Sequence, residues 1–121
     1  MKFAGICLIT EDVSRLTEFY RRVLQTTADG DDTHATIDTK GAGISIFSRN
    51  GMENMVAGST ENTGNSRHTL VFEVEDVDAE FERLNEMDVD FLMLPTTQPW
   101  GCRAFWFRDP DGNIVDFMST V

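Results

Sequence analysis

Trp100 and Trp106 stand in TTQPWGCRAFWFRDPDGN, residues 96–113, and each offers a flat apolar face with one N–H donor at its edge. Such faces stack on planar ligands, and a cation over an indole gains a similar or somewhat larger attraction. Other candidates for chemistry are few: Cys7 and Cys102, His34 and His68, and two acids inside apolar runs, Glu73 in LVFEV and Asp116 in IVDF. No serine has the Gly-flanked setting of a nucleophile elbow, and a Cys/His pair would depend on the fold bringing Cys7 or Cys102 to a histidine. KGAG, Lys40 to Gly43, lacks the spacing of a phosphate-cradling loop and reads as a turn before a strand. The two cysteines are too few for a disulfide framework or a zinc knuckle, and each is expected to act as a small buried hydrophobe.

Holding these residues in place requires elements that the apolar pattern supplies. Lys2 to Ile9 reads as a strand, followed at TEDV by a helix with Val13, Leu16, Phe19, Tyr20, Val23 and Leu24 on one stripe and Asp12 as its N-cap. After ADGDD, read as a turn cluster, THATIDT and GISIFS have strand character. The second half repeats the order: RHTLVFEV as a strand, and EDVDAEFERLNEM as a helix with Val77, Phe81, Leu84 and Met87 on one side. VDFLMLP and CRAFWFR follow as strands, DPDGN as a turn and IVDFMS as the last strand. The acidic handover EDV at Glu11–Val13 recurs at Glu75–Val77, so two copies of a βαβββ unit are the simplest account. The predicted fold is α+β: tandem units at 1–49 and 67–121, joined by 50–66 into one domain, their curved mixed sheet surrounding a cavity. Residues 50–66 are rich in Gly, Asn, Ser and Thr without apolar periodicity. They read as a linker or as a loop closing over something, an option that Met52 and Met55 keep open.

Strand alternation then assigns faces. Gly5, Cys7 and Ile9 share one, as do Thr69, Val71 and Glu73, and Ile114, Asp116 and Met118, which makes the predicted cavity apolar with two acids, Glu73 and Asp116. Trp106 shares parity with Cys102 and Ala104, opposite Arg103, Phe105 and Phe107. Parity alone does not say which set faces the cavity, and Phe105 and Phe107 are expected in the core.

The chain has 121 residues with 10 Lys plus Arg against 21 Asp plus Glu, a formal charge of −11. Nucleic acid and anionic membranes are poor partners for such a surface, because they bind through phosphate neutralisation. A cationic small molecule is attracted. No apolar run approaches the roughly 20 residues of a spanning helix. MKFAGICLITEDVS reads as a first strand rather than a signal peptide, and a reduced, cytoplasmic setting is expected.

The tandem βαβββ pattern resembles the vicinal oxygen chelate superfamily of glyoxalases, extradiol dioxygenases and bleomycin-resistance proteins. It does so through EFYRRVL, FEVEDVDAEFERL and QPWGCRAFWFRDPDGNIVDF, and the Pro99-Trp100-Gly101 opening is most similar to the metal-free bleomycin-binding branch. In the superfamily each half can supply two ligands to a divalent metal. The resemblance carries these positions to Gly5, to Ser45 or Ile46, to Thr69 and to Asp116, of which only Asp116 bears an acid. A bulge at Ser66 or Arg67 bringing His68 inward, with His34 and Asp116, is the remaining route to a metal. The resemblance therefore implies a binding protein without metal or other cofactor rather than an enzyme. It would sequester a planar, cationic or amphipathic small molecule, in a groove shared within a homodimer. The alternative is a metal-dependent lyase or dioxygenase of the superfamily with displaced ligands. Trp100 is the implied stacking residue and Phe47 a second aromatic position. Asp32 lies in the acidic turn, and Cys7, Thr69, Glu73, Trp106 and Asp116 complete the expected ligand-binding set.

Overall fold

Asp12 and Asp76 open two helices in the same way. The Asp12 carboxylate accepts the backbone N–H of Arg15 at 3.0 Å, and that of Asp76 accepts the N–H of Ala79 at 3.0 Å, so the repeated EDV carries the same cap twice. The protein is described by a computed structural model that covers residues 1, 3–61 and 68–121, and the chain divides into two units, Met1–Asn65 and Ser66–Val121.

The first unit runs β1 (Gly5–Thr10), α1 (Val13–Val23), β2 (Ala28–Gly30), β3 (His34–Ile37), β4 (Gly43–Ser48) and α2 (Arg49–Met55). Its sheet has the order β1-β4-β3-β2, with β1 parallel to β4 and the other neighbours antiparallel. The stripe predicted for α1 buries Val13, Leu16, Tyr20 and Val23, and α1 packs on β3 and β4, whose buried residues are Ala35, Ile37, Ile44 and Ile46.

The second unit runs β5 (Thr69–Glu73), α3 (Val77–Asn85), β6 (Asp90–Gln98), β7 (Cys102–Arg108) and β8 (Ile114–Thr120), in the sheet order β5-β8-β7-β6. Here β5 is parallel to β8. Its core is aromatic: Phe105 lies with ring centroids 5.4 Å from Phe117, 5.6 Å from Phe81 and 5.8 Å from Phe107. Both halves thus follow the predicted βαβββ order, each with its own four-stranded mixed sheet.

Three local expectations are corrected. ADGDD is not wholly a turn: Ala28–Gly30 forms β2, because Ala28 pairs with Ile37 and Gly30 with Ala35, and the turn is confined to the residues that follow. There Asp31 accepts the N–H groups of Thr33 and His34 at 2.9 and 3.0 Å, which hold its carboxyl below the usual range. The connection beginning at residue 50 is helical at its start. Ser48 caps α2 by accepting the Gly51 N–H at 2.9 Å, and one apolar contact, the Phe47 ring against Gly51, replaces the periodic stripe that sequence reading looks for. Cys7 is exposed rather than buried, because its side chain lies on the face of β1 that α1 does not cover.

Glu53 secures the chain beyond α2, accepting from Gly58 N at 2.6 Å and Thr60 Oγ1 at 2.9 Å, while Arg49 reaches the Thr60 carbonyl at 3.1 Å and pairs with Glu11. Ser66 and Arg67, where a bulge could have turned His68 inward, lie outside the described residues. The β6 edge is interrupted between Phe91 and Met93 and again between Met93 and Thr96. With Pro95, which has no N–H to offer, these irregularities blunt the edge against pairing with another strand.

Candidate functional site: the open faces of the two sheets

Each sheet has one face under α1 or α3 and an opposite, more open face, part of which α2 meets in the first unit, where Phe47 lies against Gly51. On β5 Leu70 is buried and Thr69, Val71 and Glu73 are exposed; on β8 Val115 and Phe117 are buried while Ile114, Asp116 and Met118 are half-buried. The open face therefore carries the residues that alternation assigned to it. Phe105 and Phe107 are in the core as expected, and the parity left open for β7 resolves with Trp106 on the open side.

Register places Val71, Asp116, Trp106 and Met93 in one row across β5, β8, β7 and β6. Val71 is 59% exposed and Trp106 39%, so the row has an apolar end and an aromatic flank with a carboxylate between them. The Asp116 carboxyl is pushed above the usual carboxylate range by burial, partly offset by a hydrogen bond from the Trp106 side chain. Its Oδ1 is buried and has no hydrogen-bond partner. The residues diagonal to it in register are Thr69 and Glu73 on β5 and Ala104 and Arg108 on β7. Of these, the Arg108 guanidinium donates to the Gly112 carbonyl at 3.0 Å.

A stability measurement checks this desolvation. With its folded-state value raised, Asp116 carries no penalty below the ordinary carboxylate range. It costs stability as pH rises through that range and up to the raised folded value. Asp116→Asn should therefore melt higher than wild type at pH 8 and converge with it below pH 4; a variant that melts lower at pH 8 would contradict the desolvation.

The equivalent row of the first unit follows from the parallel pairs. Cys7 pairs with Ser45 as Val71 pairs with Asp116, and Ser45 pairs in turn with Thr36. Of the two residues left open by the sequence, Ser45 is thus the counterpart of Asp116, while Ile46 is in the core. The next row holds Ile9, Phe47 and His34. Phe47 meets His34 edge-on at 5.4 Å, and its ring fills the space over Gly51. The alternation of THATI, with Ala35 and Ile37 buried, already contained the signal that His34 and Thr36 face away from α1.

The remaining expected residues lie apart from these rows. Trp100, 77% exposed, is in the loop joining β6 to β7, closed by the Gly101 N–H on the Gln98 carbonyl at 3.1 Å with Gly101 at φ +85°. The span from Cys102 to Trp106 is about 13 Å at strand rise, so Trp100 and the Asp116–Trp106 pair are not side by side. Glu73 lies at the β5 end, on a depression of about 410 Å³ lined also by Glu75, Ser119 and Thr120. Asp32 lines a depression of about 300 Å³ with Ser14, Thr17, Glu18 and Asp29, beside α1 and away from the open face. His68 precedes β5 and is exposed.

Two parts of the closing motif prove structural. The Asp109 carboxylate, in a residue 4% exposed, accepts from Asp111 N, Asn113 N and Asn113 Nδ2 at 2.7–2.9 Å, so DPDGN is a closed turn as expected. Arg103 faces α3 and holds Asp78 through two contacts of 2.8 and 2.7 Å.

A family model described as the Glyoxalase/Bleomycin resistance protein/Dioxygenase superfamily matches residues 2–117. The chain belongs to that superfamily. It is 31% identical over 128 residues to the uncharacterized protein YraH of Bacillus subtilis (strain 168), with all of both chains covered. Its fold matches a glyoxalase/bleomycin resistance protein/dioxygenase family enzyme from Burkholderia phytofirmans PsJN at TM-score 0.88 and 16% identity, with full coverage of both. A protein of unknown function from Agrobacterium tumefaciens str. C58 matches at TM-score 0.82 and 28% identity, with 100% of this chain and 95% of the other covered. The vicinal oxygen chelate fold and the tandem units follow.

In this superfamily member the metal positions do not fit a resident divalent ion. Asp116 is the one anionic donor among Gly5, Ser45, Thr69 and Asp116, whereas three or more protein ligands are normal. Among the described residues, no three of His, Cys, Asp and Glu come together in a group able to hold one.

Proposed function

We propose that this glyoxalase/bleomycin-resistance-type protein binds and sequesters a planar small molecule, cationic or amphipathic, without a metal. It would do so in the reduced interior of the cell and as a homodimer. The observation that carries the reading is the row Val71–Asp116–Trp106, an exposed apolar and aromatic surface around a partly desolvated carboxylate. Apolar and aromatic area supplies affinity for a flat ring, and the carboxylate favours positive charge. The charge of −11 draws a cation toward the protein. Trp100, exposed at the β6–β7 loop, is a second stacking surface of the same chemistry.

Titration of tryptophan fluorescence with bleomycin and with planar cationic dyes tests the reading. Quenching that saturates in the micromolar range, weakened about tenfold in Trp106→Phe and retained in Trp100→Ala, assigns binding to the row; the reverse pattern assigns it to the loop. Absence of saturable quenching in wild type with every compound defeats the proposal.

A further inference from the structure

Asn50 and Gly51 form the one Asn-Gly step in the chain, and the fold fixes both members. Asn50 stands exposed in the first turn of α2, whereas Gly51 is buried. A Cβ on Gly51 would overlap the Phe47 ring, so packing enforces glycine directly after the asparagine. Asparagine is a thermolabile residue, and a following glycine, lacking Cβ, leaves its own backbone nitrogen free to approach the asparagine side chain. In the folded chain that nitrogen is occupied: the Gly51 N–H donates to Ser48 Oγ at 2.9 Å. Ser48 is itself fixed, its backbone N–H donating to the Thr33 carbonyl at 2.8 Å and its position paired with Thr10 across β4 and β1. With seven residues α2 is too short to stand alone, so its first turn depends on this cap, on the Gly51–Phe47 contact and on the ion pair of Arg49 with Glu11.

We propose that Asn50 is a site of spontaneous deamidation, gated by the Ser48 cap, whose product alters the open face of the first sheet. When the first turn of α2 opens, the Gly51 nitrogen attacks the Asn50 side-chain carbonyl carbon. The new N–C bond closes a five-membered succinimide, and the side-chain nitrogen leaves as ammonia, taking the proton from the Gly51 amide. Water then adds to one of the two ring carbonyls and opens the ring to aspartate or isoaspartate. Isoaspartate carries the main chain through its side-chain carbon, one methylene longer than before, so α2 cannot keep both its hydrogen-bond ladder and Gly51 against Phe47. Phe47 lies in the row Ile9–Phe47–His34 and meets His34 edge-on at 5.4 Å, which carries the change to that face.

Incubation of the full chain at pH 8, with peptide mapping by mass spectrometry to follow conversion at residue 50, tests the gate. Conversion should be at least about tenfold slower in the folded chain than in urea-unfolded chain. Ser48→Ala, shown to be folded by its melting transition, should convert about threefold to tenfold faster than wild type, and Ser48→Asp, which keeps a capping acceptor, should not. In wild type alone, urea below the unfolding transition should already raise the rate, because opening of the first turn is local. Equal rates in folded and unfolded wild type, equal rates in folded Ser48→Ala and wild type, acceleration in Ser48→Asp matching Ser48→Ala, or no rise in dilute urea each overturns the gate. No conversion in the unfolded chain overturns the site. The purified isoaspartyl form should shift the His34 ring resonances by nuclear magnetic resonance, while Asn50→Asp, which adds the charge without the extra backbone atom, should leave them in place. Unshifted His34 signals in the isoaspartyl form, or equal shifts in Asn50→Asp, overturn the effect on the open face.

Discussion

Phe105→Ala should cost about 3–5 kcal/mol of folding free energy. Phe105 is 0% exposed, and its ring packs against Phe81, Phe107 and Phe117 at 5.4–5.8 Å and against Phe91 at 6.1 Å, so truncation removes the centre of the cluster rather than its edge. Against the roughly 5–15 kcal/mol typical of a folded domain, the loss leaves the second unit close to its unfolding threshold. Urea denaturation followed by near-ultraviolet circular dichroism measures it, and Phe105→Leu, apolar and nearer in volume, should lose less. A loss below about 1 kcal/mol in Phe105→Ala would mean that the other rings collapse into the space, contrary to the close packing described.

The second large effect is expected at Gly5→Ala. The backbone of Gly5 has φ +153°, and a Cβ there would stand 2.1 Å from the Gly43 carbonyl oxygen on the paired strand β4. Accommodating a methyl requires β1 to move off β4, because the obstacle is backbone and not the end of a flexible side chain. Strain and overpacking together should cost at least about 2–4 kcal/mol. Gly41→Ala is the control: its φ is +91° with nothing within 4 Å of the added carbon, so it carries the conformational cost alone, about 1 kcal/mol. Equal melting temperatures for the two variants would show that β1 and β4 separate without cost. The same geometry bears on function. The superfamily resemblance puts a metal-ligand position at Gly5, and here the approach of β4 leaves room for no side chain at all.

Much of this architecture was legible in the sequence, for reasons that differ by element. Helices α1 and α3 and the strands β7 and β8 follow from apolar spacing and from the aspartates that cap or turn the chain, because those signals act within a few residues. β2 and α2 were missed. Three residues reading Ala-Asp-Gly become a strand only because β3 lies alongside, and α2 has no stripe to show because Gly51 against Phe47 is its main buried contact. The open-face residues were readable as a set from alternation, but which aromatic joins Asp116 was not, since a seven-residue strand has two equally plausible faces.

The sequence by itself determined the duplicated βαβββ order, the turn at Asp109–Asn113, the superfamily and the thinness of the donor set at its metal positions. All of these depend on residue identity and short-range spacing. Only the tertiary structure decided that Trp106 rather than Trp100 adjoins Asp116, that Ser45 is the counterpart of Asp116, and that Gly5 is enforced by Gly43. Those facts arise from register between strands far apart in the chain. A shift of one residue there would exchange the open face for the core.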